Sequence, residues 1–129
     1  MPGTDLPPGL PPEPSPGPPP GLVIRRQEPD HLERAHGLDL RLLHPWGDLT
    51  TPFHGAWCVL RPGDLTDTHQ HTERELFICL SGRGEVRTPD GHRHPIAAGD
   101  LVLLPADTDH AVANPHDTDF AYYAIWWQA

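Results

Sequence analysis

From residue 38 onward the chain alternates short apolar runs with turn residues at fairly regular spacing. LDLRLLH at 38–44 alternates apolar and polar positions, AWCVL runs apolar to the Arg61-Pro62-Gly63 turn, and ELFICLSG at 75–82 ends on a glycine. GEVRTPDGHRHPIAAGD predicts a hairpin that goes out over Glu85–Thr88, turns at Pro89-Asp90-Gly91 and returns over His92–Ala97. LVLLP, HAVAN and FAYYAIWW complete the set. Short strands punctuated this way imply an all-β barrel, and the lack of an internal repeat implies one barrel rather than a fused pair. Ahead of them, LVIRR at 22–26 reads as a first short strand. EPDHLERAHG at 28–37 reads as a short helix, with Pro29 near its start and Gly37 as its stop.

Composition changes this picture at one end. Residues 1–21 hold ten of the eighteen prolines and few apolar side chains. Such a tract cannot bury enough surface to offset its ordering entropy, so a disordered Pro-rich tail over 1–21 precedes a single domain over 22–129. The formal charge is −9 and all nine cations are arginine. That balance argues against nucleic acid and anionic membrane surfaces as partners, and the missing lysine removes Schiff-base chemistry on a side-chain amine. Cys58 and Cys79 both lie in apolar runs, too sparse for a disulfide framework. With no leader-like segment or membrane-length apolar stretch, the expectation is a soluble cytoplasmic protein with reduced thiols.

The chemistry concentrates in GDLTDTHQHTERELFICLSG at 63–82. His69 and His71 are two residues apart, so on an extended backbone both imidazoles reach one point. Glu75 shares their parity at the start of the apolar run. Two imidazoles and a carboxylate converging on one point form a first-row metal constellation. Phe77 and Cys79 share the parity of Glu75 and face inward, while alternate rings of Tyr122-Tyr123-Ala124-Ile125-Trp126-Trp127 point to opposite faces. His92 and His94 form a second H-x-H pair, but at a hairpin turn with no carboxylate nearby, so solvent exposure is expected. His31, His36, His44 and His116 fall in helix or loop contexts without a special claim. Arg61 and Arg87 are candidate carboxylate clamps.

GDLVLLPADTDHAVAN at 99–114 supplies a second motif. Together the two stretches resemble the paired motifs of the cupin superfamily. Gly63, His69, His71, Glu75 and Gly82 match the first motif at every defining position. Gly99, Pro105, His110 and Asn114 match the second, where Asp107 stands in place of the usual glycine. Asp tolerates left-handed backbone better than most residues, so that departure concerns only a turn. The resemblance implies a single jelly-roll barrel, the double-stranded β-helix. It also implies one divalent metal ion held by His69, His71, Glu75 and His110, with Glu75 and His110 as catalytic groups. Phe77, Cys79, His54, Trp57 and Tyr123 are the candidate substrate-pocket residues. On an octahedral iron or manganese, three His and one Glu leave two positions open; on a tetrahedral zinc they fill the sphere.

A narrower resemblance rests on PFHGAWCVLRPGD, the first motif and the terminal YYAIWW. These stretches look like the small zinc cupins that accompany methionyl-tRNA-synthetase-like proteins in bacterial specialised metabolism. That resemblance implies zinc ahead of Fe2+ or Mn2+. It implies N–N bond formation of the hydrazine-synthetase type on a small amino-acid-derived substrate, and a synthetase-like partner. The rival readings are an Fe(II)-dependent cupin dioxygenase and a non-catalytic small-ligand-binding cupin. A homodimer is expected at the family level, since barrel edge strands commonly pair.

Overall fold

The computed structural model describes residues 21–43, 46, 50–68 and 72–128. Nine strands run through these residues: β1 Glu33–Ala35, β2 Leu38–Leu42, β3 His54–Leu60, β4 Arg74–Ser81, β5 Arg83–Arg87, β6 Arg93–Ala97, β7 Leu101–Leu104, β8 Ala111–Ala113 and β9 Phe120–Trp127. They form a six-stranded sheet in the order β1-β2-β3-β9-β4-β7 and a three-stranded sheet in the order β6-β5-β8, with every pairing antiparallel. The chain is therefore all-β, with the two-sheet architecture of a jelly roll.

Two elements near the start differ from the sequence expectation. LVIRR at 22–26 forms no strand. The segment read as a helix holds one 3-10 turn, Pro29–His31, and then enters β1. His36 and Gly37, at φ 56° and 88°, make the two-residue turn into β2. Both left-handed residues suit the tight turn of a β-hairpin. Gly37 thus marks a chain reversal, as a helix stop also would, but in a hairpin. A Cβ there would stand 2.2 Å from the Leu65 carbonyl oxygen, so the position is closed to other residues on space as well. Pairing with β2 overrides the weak helical pattern of so short a segment.

The core sits between the sheets, with Leu60, Val112, Phe120 and Asn114 fully enclosed. Phe120, Tyr122 and Phe77 pack ring on ring, with successive centroids 5.2 and 4.5 Å apart. The residues at the motif ends mostly hold backbone together. Asn114 Nδ2 donates to the carbonyls of Leu60 (2.9 Å) and Thr118 (2.8 Å), and its Oδ1 accepts from the His116 amide. Its backbone pairs with Gly63 and Asp64, so one buried amide ties the start of the first motif to the end of the second. Asp107 has φ 57°, which explains how aspartate occupies the turn position where a glycine is usual.

An arginine cluster fastens the β1–β2 hairpin to the same corner. Arg34 binds Asp64 through both terminal nitrogens, at 2.6 and 2.5 Å, and reaches Asp39 at 3.2 Å. Arg61 holds the buried Asp39 through Nε and Nη2, at 2.8 and 3.1 Å. The guanidinium of Arg34 holds the Asp64 carboxyl below the usual range.

Candidate functional site

β4 carries Glu75 into the barrel, and the bridge before β8 carries His110 toward it. Both are buried, and Glu75 Oε1 lies 3.2 Å from His110 Nε2. The other ring nitrogen of His110, Nδ1, lies 3.2 Å from the Thr108 carbonyl, which accepts its proton. That contact orients the ring and turns Nε2 toward Glu75. A carboxylate and an imidazole lone pair this close repel unless a cation or a shared proton lies between them. A backbone carbonyl behind the ring is also the usual support for a metal-ligating histidine. The donor set therefore fits a divalent ion. His69 and His71 lie outside the described residues, as do His44 and all of the Pro-rich tail except Gly21.

Glu75 opens on a cavity of about 560 Å³. Its walls are apolar: Leu38, Leu40, Ala56, Phe77, Tyr122 and Trp126 among others. Among the described lining residues, Glu33, Asp67, Glu75 and His36 stand beside the Cys58 thiol and the Tyr122 hydroxyl, and none is an arginine. Thr66 holds the wall closed, since its Oγ1 accepts from the Val112 amide and its own amide donates to the Val112 carbonyl.

The predicted pocket residues separate in the structure. Phe77 lines the cavity, while Cys79 is buried in the core behind it. His54 is exposed at the start of β3 and stacks on Trp126, centroid to centroid 6.2 Å, so it stands one side chain back from the cavity. Trp57 and Tyr123 stand on the other face of the sheet. They pair across β3–β9, while the adjacent pairs Cys58–Tyr122 and Ala56–Ala124 face inward. The side-chain period of two decides this, because Phe77 on β4 pairs with Ala124 and fixes even-numbered β9 residues to the interior. Trp57 instead borders a second, outer depression beside Asp39 and Arg61.

Sequence reasoning therefore missed Cys58, Tyr122 and His36. For the first two the missing information was cross-strand register. His36 reaches the rim only because β1 and β2 form a hairpin; there its Nδ1 lies 3.7 Å from Asp67. Arg61 and Arg87, the candidate clamps, are committed to Asp39 and Glu85. Both cysteines are free. Burial pushes the Cys58 thiol up to about 12 and the Cys79 thiol up to about 11, which makes both poor nucleophiles. Burial likewise raises Tyr122 well above its ordinary value, so its hydroxyl stays protonated at the cavity wall.

One expectation is corrected at the β5–β6 turn. His92 and His94 are exposed as expected, but a carboxylate does stand beside them. Asp90 lies 3.0 Å from His92 Nδ1. The sequence reading overlooked that a turn brings residues i and i+2 together.

Known proteins agree with this architecture. A cupin-domain family profile matches residues 56–126, more than half of the chain. The chain belongs to the cupin superfamily. Among solved structures it is similar to a cupin 2 conserved barrel protein from Salinispora arenicola, with 41% identity and a TM-score of 0.77 over 84% of this chain and 90% of that one. Among curated proteins it is 42% identical over 62 residues to dimethylsulfoniopropionate lyase DddW of Ruegeria pomeroyi, covering 47% of this chain and 40% of that protein. It is 35% identical over 94 residues to a gentisate 1,2-dioxygenase of a Ralstonia species, covering 69% and 26%. The chain thus spans roughly a quarter to two-fifths of these curated relatives. Among the described residues, no helix is long and apolar enough to cross a membrane.

Proposed function

We propose that this chain is a metal-dependent cupin enzyme acting on a small substrate with an apolar body and a basic amine. The observation that carries the reading is the buried Glu75–His110 contact, 3.2 Å long, at the wall of an apolar cavity whose described lining includes three carboxylates and no arginine. In this reading His69, His71, Glu75 and His110 hold one divalent ion, zinc in preference to iron or manganese. The ion supplies Lewis-acid polarisation when bound. The apolar walls suit an apolar substrate body, and Glu33 and Asp67 favour a substrate cation over a carboxylate.

The reaction that uses these features best is N–N bond formation of the hydrazine-synthetase type, the narrower resemblance of the sequence. In an aminoacyl ester of an N-hydroxylated amine, the α-amine nitrogen attacks the hydroxylamine nitrogen. The N–N bond forms as the N–O bond breaks, the carboxylate leaves, and the amine proton passes to it. The rearrangement is redox-neutral and needs no oxidant. In this reading Glu75 relays that proton, and His110, which Thr108 orients, faces the same carboxylate. A methionyl-tRNA-synthetase-like partner supplies such an ester in this reading, and the cytoplasm is its compartment. A homodimer is supported by Leu101 and Leu103, which are 68% and 60% exposed on the edge strand β7.

A second reading, an Fe(II) dioxygenase, is favoured by the similarity to gentisate 1,2-dioxygenase. The two separate in one assay. Untagged protein is reconstituted with zinc or Fe(II), given a synthetic aminoacyl hydroxylamine ester, and followed by mass spectrometry for the isomeric hydrazine. Zinc-dependent isomerisation lost in His110→Ala supports the proposal. Turnover of an aromatic or thiol substrate that consumes oxygen only with Fe(II) transfers the assignment to the dioxygenase. Ligand-induced melting shifts without turnover in either form reduce the chain to a binding module.

A further inference from the structure

The β5–β6 hairpin carries a second group of metal-type donors, independent of the buried site. Asp90, His92 and His94 each offer one ligand atom, and the three atoms lie within 4.8 Å of one another. All three side chains are exposed. Their placement follows from the turn. Thr88 and His92 face each other across it, with the Thr88 amide bonded to the His92 carbonyl and the Gly91 amide to the Thr88 carbonyl. Gly91, at φ 84°, completes the reversal. His92 and His94 then share one face at a spacing of two, and Arg93 turns to the other face, 3.9 Å from Glu85. The rings meet edge to face with centroids 6.0 Å apart.

The carboxylate is held in place and ionised. Asp90 Oδ1 accepts from the Thr88 hydroxyl at 2.5 Å and from the His92 amide at 3.0 Å, and Oδ2 lies 3.0 Å from His92 Nδ1. The Thr88 hydroxyl keeps the Asp90 carboxyl down at about 2, aided by the His92 amide. Thr88 has one proton, and it goes to Asp90. His94 Nε2, 3.1 Å from Thr88 Oγ1, is therefore the donor in that contact, so the same hydroxyl bridges the carboxylate and the imidazole. Thr88 thus positions the carboxylate and one imidazole together, as outer-shell residues do for metal ligands.

We propose that Asp90, His92 and His94 form an exposed site for a first-row divalent transition ion, of the zinc and copper class, separate from the buried cupin site. Donors around one such ion lie roughly 3 Å apart, a spacing that small side-chain rotations on this open hairpin reach from the observed one. Two imidazoles and one carboxylate select for copper, nickel and zinc over magnesium and calcium. Three protein ligands leave the remaining positions to water.

The test is equilibrium titration of the full, untagged, chelator-stripped chain with Zn2+ and with Cu2+, followed by calorimetry and by NMR of the histidine ring protons. Wild-type protein is expected to take up two ions per chain, with Cu2+ broadening the His92 and His94 signals at the weaker site. His92→Ala/His94→Ala is expected to lose the weaker ion and keep the tighter one. Thr88→Val should weaken the exposed site about 10-fold or more while leaving all three ligands in place. His110→Ala should keep the exposed site and lose the buried one. An unchanged second binding step in His92→Ala/His94→Ala, or Cu2+ broadening confined to other histidines, overturns the proposal. Because these side chains are exposed, the double variant should fold; Asp90→Asn checks the same site without touching a histidine.

Discussion

The Glu75–His110 pair and the Asp90–His92–His94 group bring the same functional groups together in opposite surroundings. The first is enclosed, with side chains 9% and 2% exposed, and is assembled from residues 35 apart in sequence. The second sits on five consecutive residues at a hairpin tip open to solvent. Burial makes the first pair costly without a compensating charge and therefore selective for one. Exposure lets water serve the second equally well, so an ion there gains less. What the difference teaches is that donor type sets which ions a site accepts, while burial sets how tightly they are held and what chemistry they can do.

The largest effect should come from exchanging the two regions as targets. Glu75→Ala or His110→Ala is expected to abolish tightly held metal, read by elemental analysis, and to lower turnover at least about 100-fold, whereas His92→Ala/His94→Ala leaves turnover unchanged. Equal losses from both would erase the distinction drawn between the sites.

Next come two left-handed glycines, one from each region. A Cβ at Gly82 would lie 2.1 Å from the Asp119 carbonyl oxygen at φ 77°, while one at Gly91, at φ 84°, meets nothing within 4 Å. Gly82→Ala should therefore cost about 3 kcal/mol or more and Gly91→Ala only about 1 kcal/mol, measured by denaturant unfolding. Similar costs would mean that the barrel corner relaxes as readily as the hairpin tip.

Acid titration sharpens the comparison in a smaller way. Asp64 beside the barrel and Asp90 on the hairpin both have folded-state values below the ordinary aspartate range, the first through Arg34 and the second through Thr88. A depressed folded value means that the unfolded chain takes up the proton first. The stabilisation is complete above about pH 4 and is lost as pH falls, for Asp90 down toward about 2. Melting temperature followed from pH 5 to pH 2 should fall in the wild type. The acid loss should be shallower in Arg34→Gln, through Asp64, and in Thr88→Val, through Asp90. A slope unchanged in both variants would place the acid sensitivity elsewhere. Smallest of all, His92→Ala or His94→Ala alone should shift metal-free stability by no more than about 0.5 kcal/mol, since these side chains are exposed. A larger loss would show that the hairpin depends on the cluster for its fold.

Most strands were legible because their apolar runs and turn residues are local signals: ELFICLS, FAYYAIWW and the Pro89-Asp90-Gly91 reversal each appear where the pattern puts them. The contact between Glu75 and His110 was legible too, through the resemblance to the paired cupin motifs. The β1–β2 hairpin was less so, because a three-residue strand carries too little pattern to distinguish it from a helical turn.

By itself the sequence determined the barrel class, the two motifs that carry Glu75 and His110, and the phase of β4, all properties of a residue and its near neighbours. Only the tertiary structure decided that Cys58 and Tyr122 face the cavity while Trp57 and Tyr123 face away, that His36 reaches the rim, and that Arg61 serves Asp39. Those outcomes depend on the register between strands distant in sequence. A shift of one residue in that register turns every side chain to the other face.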